Sequence, residues 1–227
     1  MPAKNIRRFW SALAVTVLLT HSARDCRAQD ASVRDRDWYF SIYGYEWAEA
    51  KLFQVPARAF TGSLPFLDAY LLSLGAGYAL LPNFAIPLPG TDASLRGNSI
   101  EVEAQIGKHF GLDDTYETDF ALLYRTPQIP LFGGLSINLA AGEGVSYTFT
   151  NPQFEFGGTG VRGVDTYRFQ NYLAIEAEIT HVVATWAHLV ARVHHRSGIY
   201  GVISPTGTGS NYVGGGLRFD LSPSKPF

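Results

Sequence analysis

The segment from Trp186 to Gly201, WAHLVARVHHRSGIYG, carries the densest chemistry in the chain. Side chains on an extended strand alternate between two faces. Leu189, Ala191, Val193, His195 and Ser197 therefore share one face, and Val190, Arg192, His194 and Arg196 share the other. The apolar face ends in a histidine and a serine. Residues two apart on a strand are about 6.5–7 Å apart at Cα, which lets an imidazole turn toward a hydroxyl. That pairing makes a serine nucleophile with its general base. His194 and Arg196 read as lumen or phosphate contacts. His109, His181 and His188 share no metal-ligand spacing, so the chemistry expected needs no metal and no cofactor.

Such a pair must be held by long, regular strands. Period-two alternation recurs over eight segments, about 37–47, 68–81, 99–110, 116–125, 134–150, 167–183, 186–200 and 210–221. In 99–110, for example, Ile100, Val102, Ala104, Ile106 and Phe110 alternate with Glu101, Glu103, Gln105 and His109. All of these segments exceed the roughly five or six residues usual in soluble sheets and suit a tilted bilayer crossing. The expected fold is all-β, an eight-stranded antiparallel transmembrane β-barrel of the outer membrane. A soluble lipocalin-like barrel, with the two faces exchanged, is the alternative that periodicity leaves open.

Phase assigns the remaining charges. Glu101, Glu103, Glu117, Asp119, Glu176 and Glu178 are inward and read as a network with Arg125, Arg192 and Arg218. Glu143 interrupts the apolar face of 134–150, and a bulge at Gly142 or Gly144 would turn it inward. Aromatics near strand ends, among them Trp38, Tyr39, Tyr43, Tyr45 and Trp47, and Tyr167, Phe169 and Tyr172, read as interfacial girdles.

Composition agrees with this architecture. The 227 residues are 46% hydrophobic, 14% aromatic and 17% charged, with 23 Gly and single Cys and Met residues, a balance that suits strands and tight turns. Mean hydropathy of +0.01 does not separate a membrane barrel from a soluble sheet, because a membrane barrel averages a lipid-facing and a water-facing half. Lys4, Arg7 and Arg8, the apolar run from Phe9 to Thr20 and the small residues up to Ala28 read as an export signal over 1–28, leaving 29–227 as one barrel domain. The apolar run is too short to span a bilayer. Its removal takes away five basic residues, one acid and the only cysteine, so the mature chain carries a net charge near −6 and no disulfide. Nucleic acid is not a partner expected of such a chain.

With both termini periplasmic, 48–67, 111–115, 151–166 and 201–209 are external, and 82–98, 126–133 and 184–185 are periplasmic. His195 and Ser197 then face lipid at the external end of the seventh strand, level with the outer leaflet. The stretch 82–98 is long for a periplasmic turn. The Gly-rich run 157–163 reads as a flexible loop, since no helix follows to make it a phosphate cradle.

Near the end of the chain, Tyr212, Gly214, Leu217 and Phe219 match the polar-x-Gly-x-x-apolar-x-apolar pattern that resembles the last-strand assembly signal of outer-membrane barrels. With it, His-x-Ser at the end of the penultimate strand resembles the lipid A deacylases of the PagL type, outer-membrane esterases that remove an ester-linked acyl chain from lipopolysaccharide. The resemblance implies His195 as general base, Ser197 as nucleophile, and lipid A in the outer leaflet as partner. The chain departs from the family pattern at Gly198, where Asn is usual, and in having no Asp or Glu between Ile199 and Phe219 to orient the histidine. Asn211, in phase with Leu217 and Phe219, is the nearest polar candidate for orienting the imidazole or holding an oxyanion. Backbone amides near Gly198 are a second candidate, and Glu143, roughly 10 Å sideways from the seventh strand, is a third. The alternative function is a non-catalytic outer-membrane barrel with a structural role or a partner bound through 48–67 and 151–166. A lipocalin-like periplasmic carrier is the third reading.

Overall fold

A strand with one apolar and one polar face leaves unpaired backbone at the sheet edge unless the sheet closes on itself. In the computed structural model, which describes residues 38–153, 155 and 165–221, it does close. The strands are β1 (Trp38–Ala48), β2 (Phe66–Pro87), β3 (Ser94–Gly111), β4 (Tyr116–Arg125), β5 (Ile129–Pro130), β6 (Leu135–Thr148), β7 (Phe169–His181), β8 (Ala184–Ser197) and β9 (Gly209–Leu221). Antiparallel pairing runs from neighbour to neighbour, β4 pairs with β6, and β9 pairs with β1, so eight long strands form a closed barrel with β5 as a spur on β6. Trp38 lies opposite Leu221, which puts the start of β1 and the end of β9 at one rim, here the terminal rim. The opposite rim is the distal rim. The export segment expected over 1–28 and the run 157–163 lie outside the described residues. No described helix is long and apolar enough to cross a membrane.

The two faces decide between the barrel types. Leu72, Leu74, Ile106, Phe120, Leu122, Leu139 and Leu189 are exposed on the outer wall. Aromatic pairs flank this band: Trp38 with Tyr78 (4.9 Å between centroids) and Trp186 with Phe219 (5.9 Å) toward the terminal rim, and Tyr70 with Phe110 (6.1 Å) and Tyr147 with Phe149 (5.8 Å) toward the distal rim. Inside, Arg125 meets Glu101, Glu176 and Glu178 at 3.1, 2.9 and 3.2 Å. Arg192 meets Glu103 and Glu176 at 2.6 and 2.8 Å, and Arg218 meets Glu101 at 3.1 Å. Removing such ions from water costs several kcal/mol apiece and is offset only where each charge has partners in good geometry. Apolar outside and charged inside is the arrangement of an outer-membrane barrel and the reverse of a lipocalin's.

Several expectations are corrected. Tyr39, Tyr43, Tyr45, Trp47 and Tyr172 are not girdle residues: they are buried and pack the interior, where Tyr43 lies beneath the Arg192 guanidinium (4.8 Å) and Tyr39 beneath that of Arg218 (3.7 Å). The alternation that sends Trp38, Phe40 and Ile42 outward sends their odd-numbered neighbours inward. The stretch 82–98 is mostly strand, because β2 and β3 continue as a hairpin past the main barrel wall with only 88–93 as the turn. Register shifts at Ala79/Leu81, Leu81/Phe84 and Phe84/Ile86 break the period of two there. The turn expected at 184–185 falls at 182–183. The connection 48–67 contains a 3-10 turn (Leu52–Gln54) and a short helix, α1 (Val55–Phe60), with Pro56 in its first turn, where no backbone N–H is required.

Candidate active site on the lipid-facing wall

His195 and Ser197 occupy the last turn of pleat of β8, both half-buried and both outward. The register sets their neighbours. His195 lies between Leu173 on β7 and Asn211 on β9, and Ser197 lies between Asn171 on β7 and Gly209 on β9. Four polar side chains, Asn171, Ser197, His195 and Asn211, thus form a patch on the outer wall. Directly paired residues across antiparallel strands have Cβ atoms about 4.5–5.5 Å apart, so each polar group has its partner within side-chain reach.

Asn211 fixes the imidazole. Its Nδ2 donates to the Ala50 carbonyl at 2.7 Å, so Oδ1 must be the atom that faces His195, at 2.7 Å from Nδ1. An amide oxygen only accepts, so Nδ1 carries the hydrogen. The neutral ring then has its lone pair on Nε2, the tautomer a general base needs. Among the described residues no hydrogen bond joins His195 to Ser197.

The backbone around Ser197 is tightly constrained. Gly198 is buried against Ser204, whose carbonyl a Cβ at 198 would strike. The Gly198 carbonyl in turn accepts from the amides of Gly201 (3.2 Å) and Ile203 (3.0 Å). Ile199 (φ 45°) and Tyr200 (φ 51°) both adopt the left-handed conformation, an outlier for a β-branched residue and a form of strain that collects at functional sites. Gly209 has φ +126° and packs against the Arg196 carbonyl, so the side of Ser197 facing β9 carries no side chain.

The other residues singled out in the sequence separate cleanly. Gly198 stands beside Ser197. Asn211 places Oδ1 against His195 Nδ1 and directs Nδ2 to the Ala50 carbonyl. Glu143 stays outward: β6 pairs without a bulge on either side, with Glu143 opposite Leu122 and Leu173. It shares a row with His195 and Asn211, but Leu173 intervenes, and the two strand spacings from β6 to β8 amount to about 10 Å. His194 and Arg196 point into the lumen, where His194 Nε2 meets Glu117 (2.8 Å) and Asp119 (3.2 Å) and Arg196 pairs with Glu117 (3.3 Å) and Glu155. Glu117, Asp119 and His194 converge closely enough to hold a metal ion. Arg196 already supplies a cationic partner to Glu117.

Asn171 is the residue that sequence reading missed. It is 5% exposed although its phase is outward, and among the described residues its amide makes no hydrogen bond. Its phase with Leu173 and Ile175 places it outward, but its pairing with Ser197 is set by the turn at 182–183 together with the register shift at Thr180/His181, and a turn at 184–185 without that shift would pair it with Gly198.

No family model matches the chain, and no curated protein sequence matches it. Among solved structures, the outer membrane enzyme PagL is similar with a TM-score of 0.52 at 11% identity, over 80% of this chain and 99% of that one. Neisserial surface protein A, NspA, is similar with a TM-score of 0.42 at 10% identity, over 81% of this chain and 96% of that one. The likeness to PagL shows the fold, an eight-stranded barrel of the outer-membrane kind.

Proposed function

We propose that the protein is an outer-membrane ester hydrolase that removes an ester-linked acyl chain from lipid A of lipopolysaccharide, with the distal rim in the outer leaflet. Ser197 Oγ attacks the ester carbonyl while its proton passes to His195 Nε2. The carbonyl oxygen becomes an oxyanion, and the Asn171 Nδ2, on the row of the nucleophile, donates to it. Collapse breaks the bond to the sugar oxygen, which takes the proton from His195 and leaves as an alcohol. Water, deprotonated by His195, then attacks the acyl-Ser197 ester, releases the fatty acid and restores the serine. The cycle balances without a metal or cofactor.

The observation that carries this reading is the bond from His195 Nδ1 to Asn211 Oδ1, with the amide locked by Ala50. It prepares a general base on the lipid side of the barrel, two residues from a serine. A substrate embedded in the leaflet meets that face, whereas a water-soluble one meets the loops. The test is incubation of refolded protein with lipopolysaccharide and mass spectrometry of the lipid A. Loss of one ester-linked acyl chain with the parent and not with Ser197→Ala is the expected result. Retention of every chain with the parent leaves a non-catalytic barrel that acts through its distal loops.

A further inference from the structure

The connection between β1 and β2 does not stand away from the barrel. Val55 of α1 is buried together with Ala48 and Leu64, and this cluster packs against Ala50, Val193 and Val213. Val193 and Val213 are outward residues on β8 and β9, each two positions from the site, next to His195 and Asn211 respectively. Segment 49–65 therefore folds back onto the outer wall and forms a ledge beside the polar patch. Its attachment includes the bond from Asn211 Nδ2 to the Ala50 carbonyl (2.7 Å), so the ledge and the imidazole share one side chain.

The ledge presents large apolar residues outward. Phe60 is 94% exposed and Phe53 is 76% exposed, with Pro56, Ala57 and Ala59 exposed between them. Each phenylalanine offers roughly 150–250 Å² of surface. The wall on which the ledge rests is the lipid-facing wall, so this patch continues an apolar surface already in contact with hydrocarbon. An apolar face on a short helix at that level is the pattern of an element lying in a membrane interface.

We propose that 49–65 is a membrane-seated ledge, with Phe53 and Phe60 inserted among the acyl chains of the leaflet at the distal rim, and that this seating holds the Ala50 carbonyl against Asn211. The second half rests on the esterase reading; the first does not. Leaflet contact thereby sets the orientation of His195, and the site is complete only where its substrate lies.

The experiment uses full-length protein in phosphatidylcholine–phosphatidylglycerol vesicles. Cys26 is replaced by Ser, and an environment-sensitive fluorophore is attached through Phe60→Cys or, separately, Phe53→Cys. The expected result is a blue-shifted emission, quenched several-fold more strongly by doxyl-labelled lipid than by iodide. Emission that iodide quenches and doxyl lipid does not overturns the proposal, whether or not the protein hydrolyses anything. The double variant Phe53→Ser/Phe60→Ser changes only exposed positions. It is expected to keep the heat-modifiable barrel and to release fatty acid from lipopolysaccharide vesicles at least several-fold more slowly, while Phe53→Leu/Phe60→Leu retains the parent rate. Equal rates for the Ser and parent proteins overturn the link to the site. An inert parent overturns the esterase reading alone, and the fluorescence still decides insertion.

Discussion

Asn211 Oδ1 lies 2.7 Å from His195 Nδ1, and the same amide donates through Nδ2 to the Ala50 carbonyl at 2.7 Å. In the proposed reaction a neutral amide takes the orienting place that a carboxylate holds in most serine hydrolase triads. Without a negative charge an imidazolium formed in that reaction would gain less, but the tautomer is fixed by the same acceptor geometry. On the lipid side of a barrel this choice has a physical advantage, because an unpaired carboxylate there is costly.

Asn211→Ala removes the acceptor and frees the ring to rotate. Fatty-acid release is expected to fall about 10- to 100-fold, the range for losing a group that orients a functional histidine, mainly in kcat. Asn211→Asp puts a charge beside the ring, favours the imidazolium and moves the acid limb of the kcat/KM profile to higher pH. Rate profiles of the two variants across pH check both statements.

Asn171→Ala tests the oxyanion donor. Loss of one such donor costs about 10²–10³-fold in kcat. A KM near the parent's, with weakened affinity for a boronic acid that mimics the tetrahedral intermediate, separates this role from a structural one.

Arg125 is the hub of the lower lumen, with Glu101, Glu176 and Glu178 around it. Arg125→Met leaves three buried carboxylates short of a partner. A loss of about 3–5 kcal/mol in stability is expected, measured by urea unfolding of protein folded in vesicles. An unchanged midpoint would show that the network contributes nothing net.

Glu143 sits on the outer wall between Leu139 and Tyr147, both exposed. Glu143→Leu is expected to stabilise the barrel by up to about 2 kcal/mol, since carboxylates on the lipid face cost less than the roughly 2–4 kcal/mol of a central Arg or Lys. Because Leu173 separates it from His195, its removal leaves the catalytic rate at the parent value. A rate drop with Glu143→Leu would put the carboxylate back into the mechanism.

The barrel was legible because each strand is selected on both faces: Ile100, Val102 and Ala104 for lipid, Glu101 and Glu103 for the lumen. Legibility fails where the phase slips. Asn83 takes φ 54° among three register shifts, so 82–98 reads as loop although most of it is paired. His195, Ser197 and Asn211 could be placed outward by counting within their own strands. Asn171 also counts outward with Leu173 and Ile175, but its place beside Ser197 was hidden, because that pairing depends on where the β7–β8 turn falls and on the shift at Thr180/His181. The ledge was also hidden, since Val55 becomes a core residue only by folding back onto Val193 and Val213, distant in sequence.

In the proposed reaction everything depends on Ser197 acting as a nucleophile activated by His195. Treatment of the vesicle-embedded protein with a lipophilic fluorophosphonate, followed by peptide mass spectrometry, tests it most directly. A single phosphonyl adduct on Ser197 is expected, slowed at least about 100-fold by His195→Ala, a loss in line with the 10²–10⁴ of general-base catalysis. An unmodified Ser197, or labelling that proceeds equally well without His195, would contradict it.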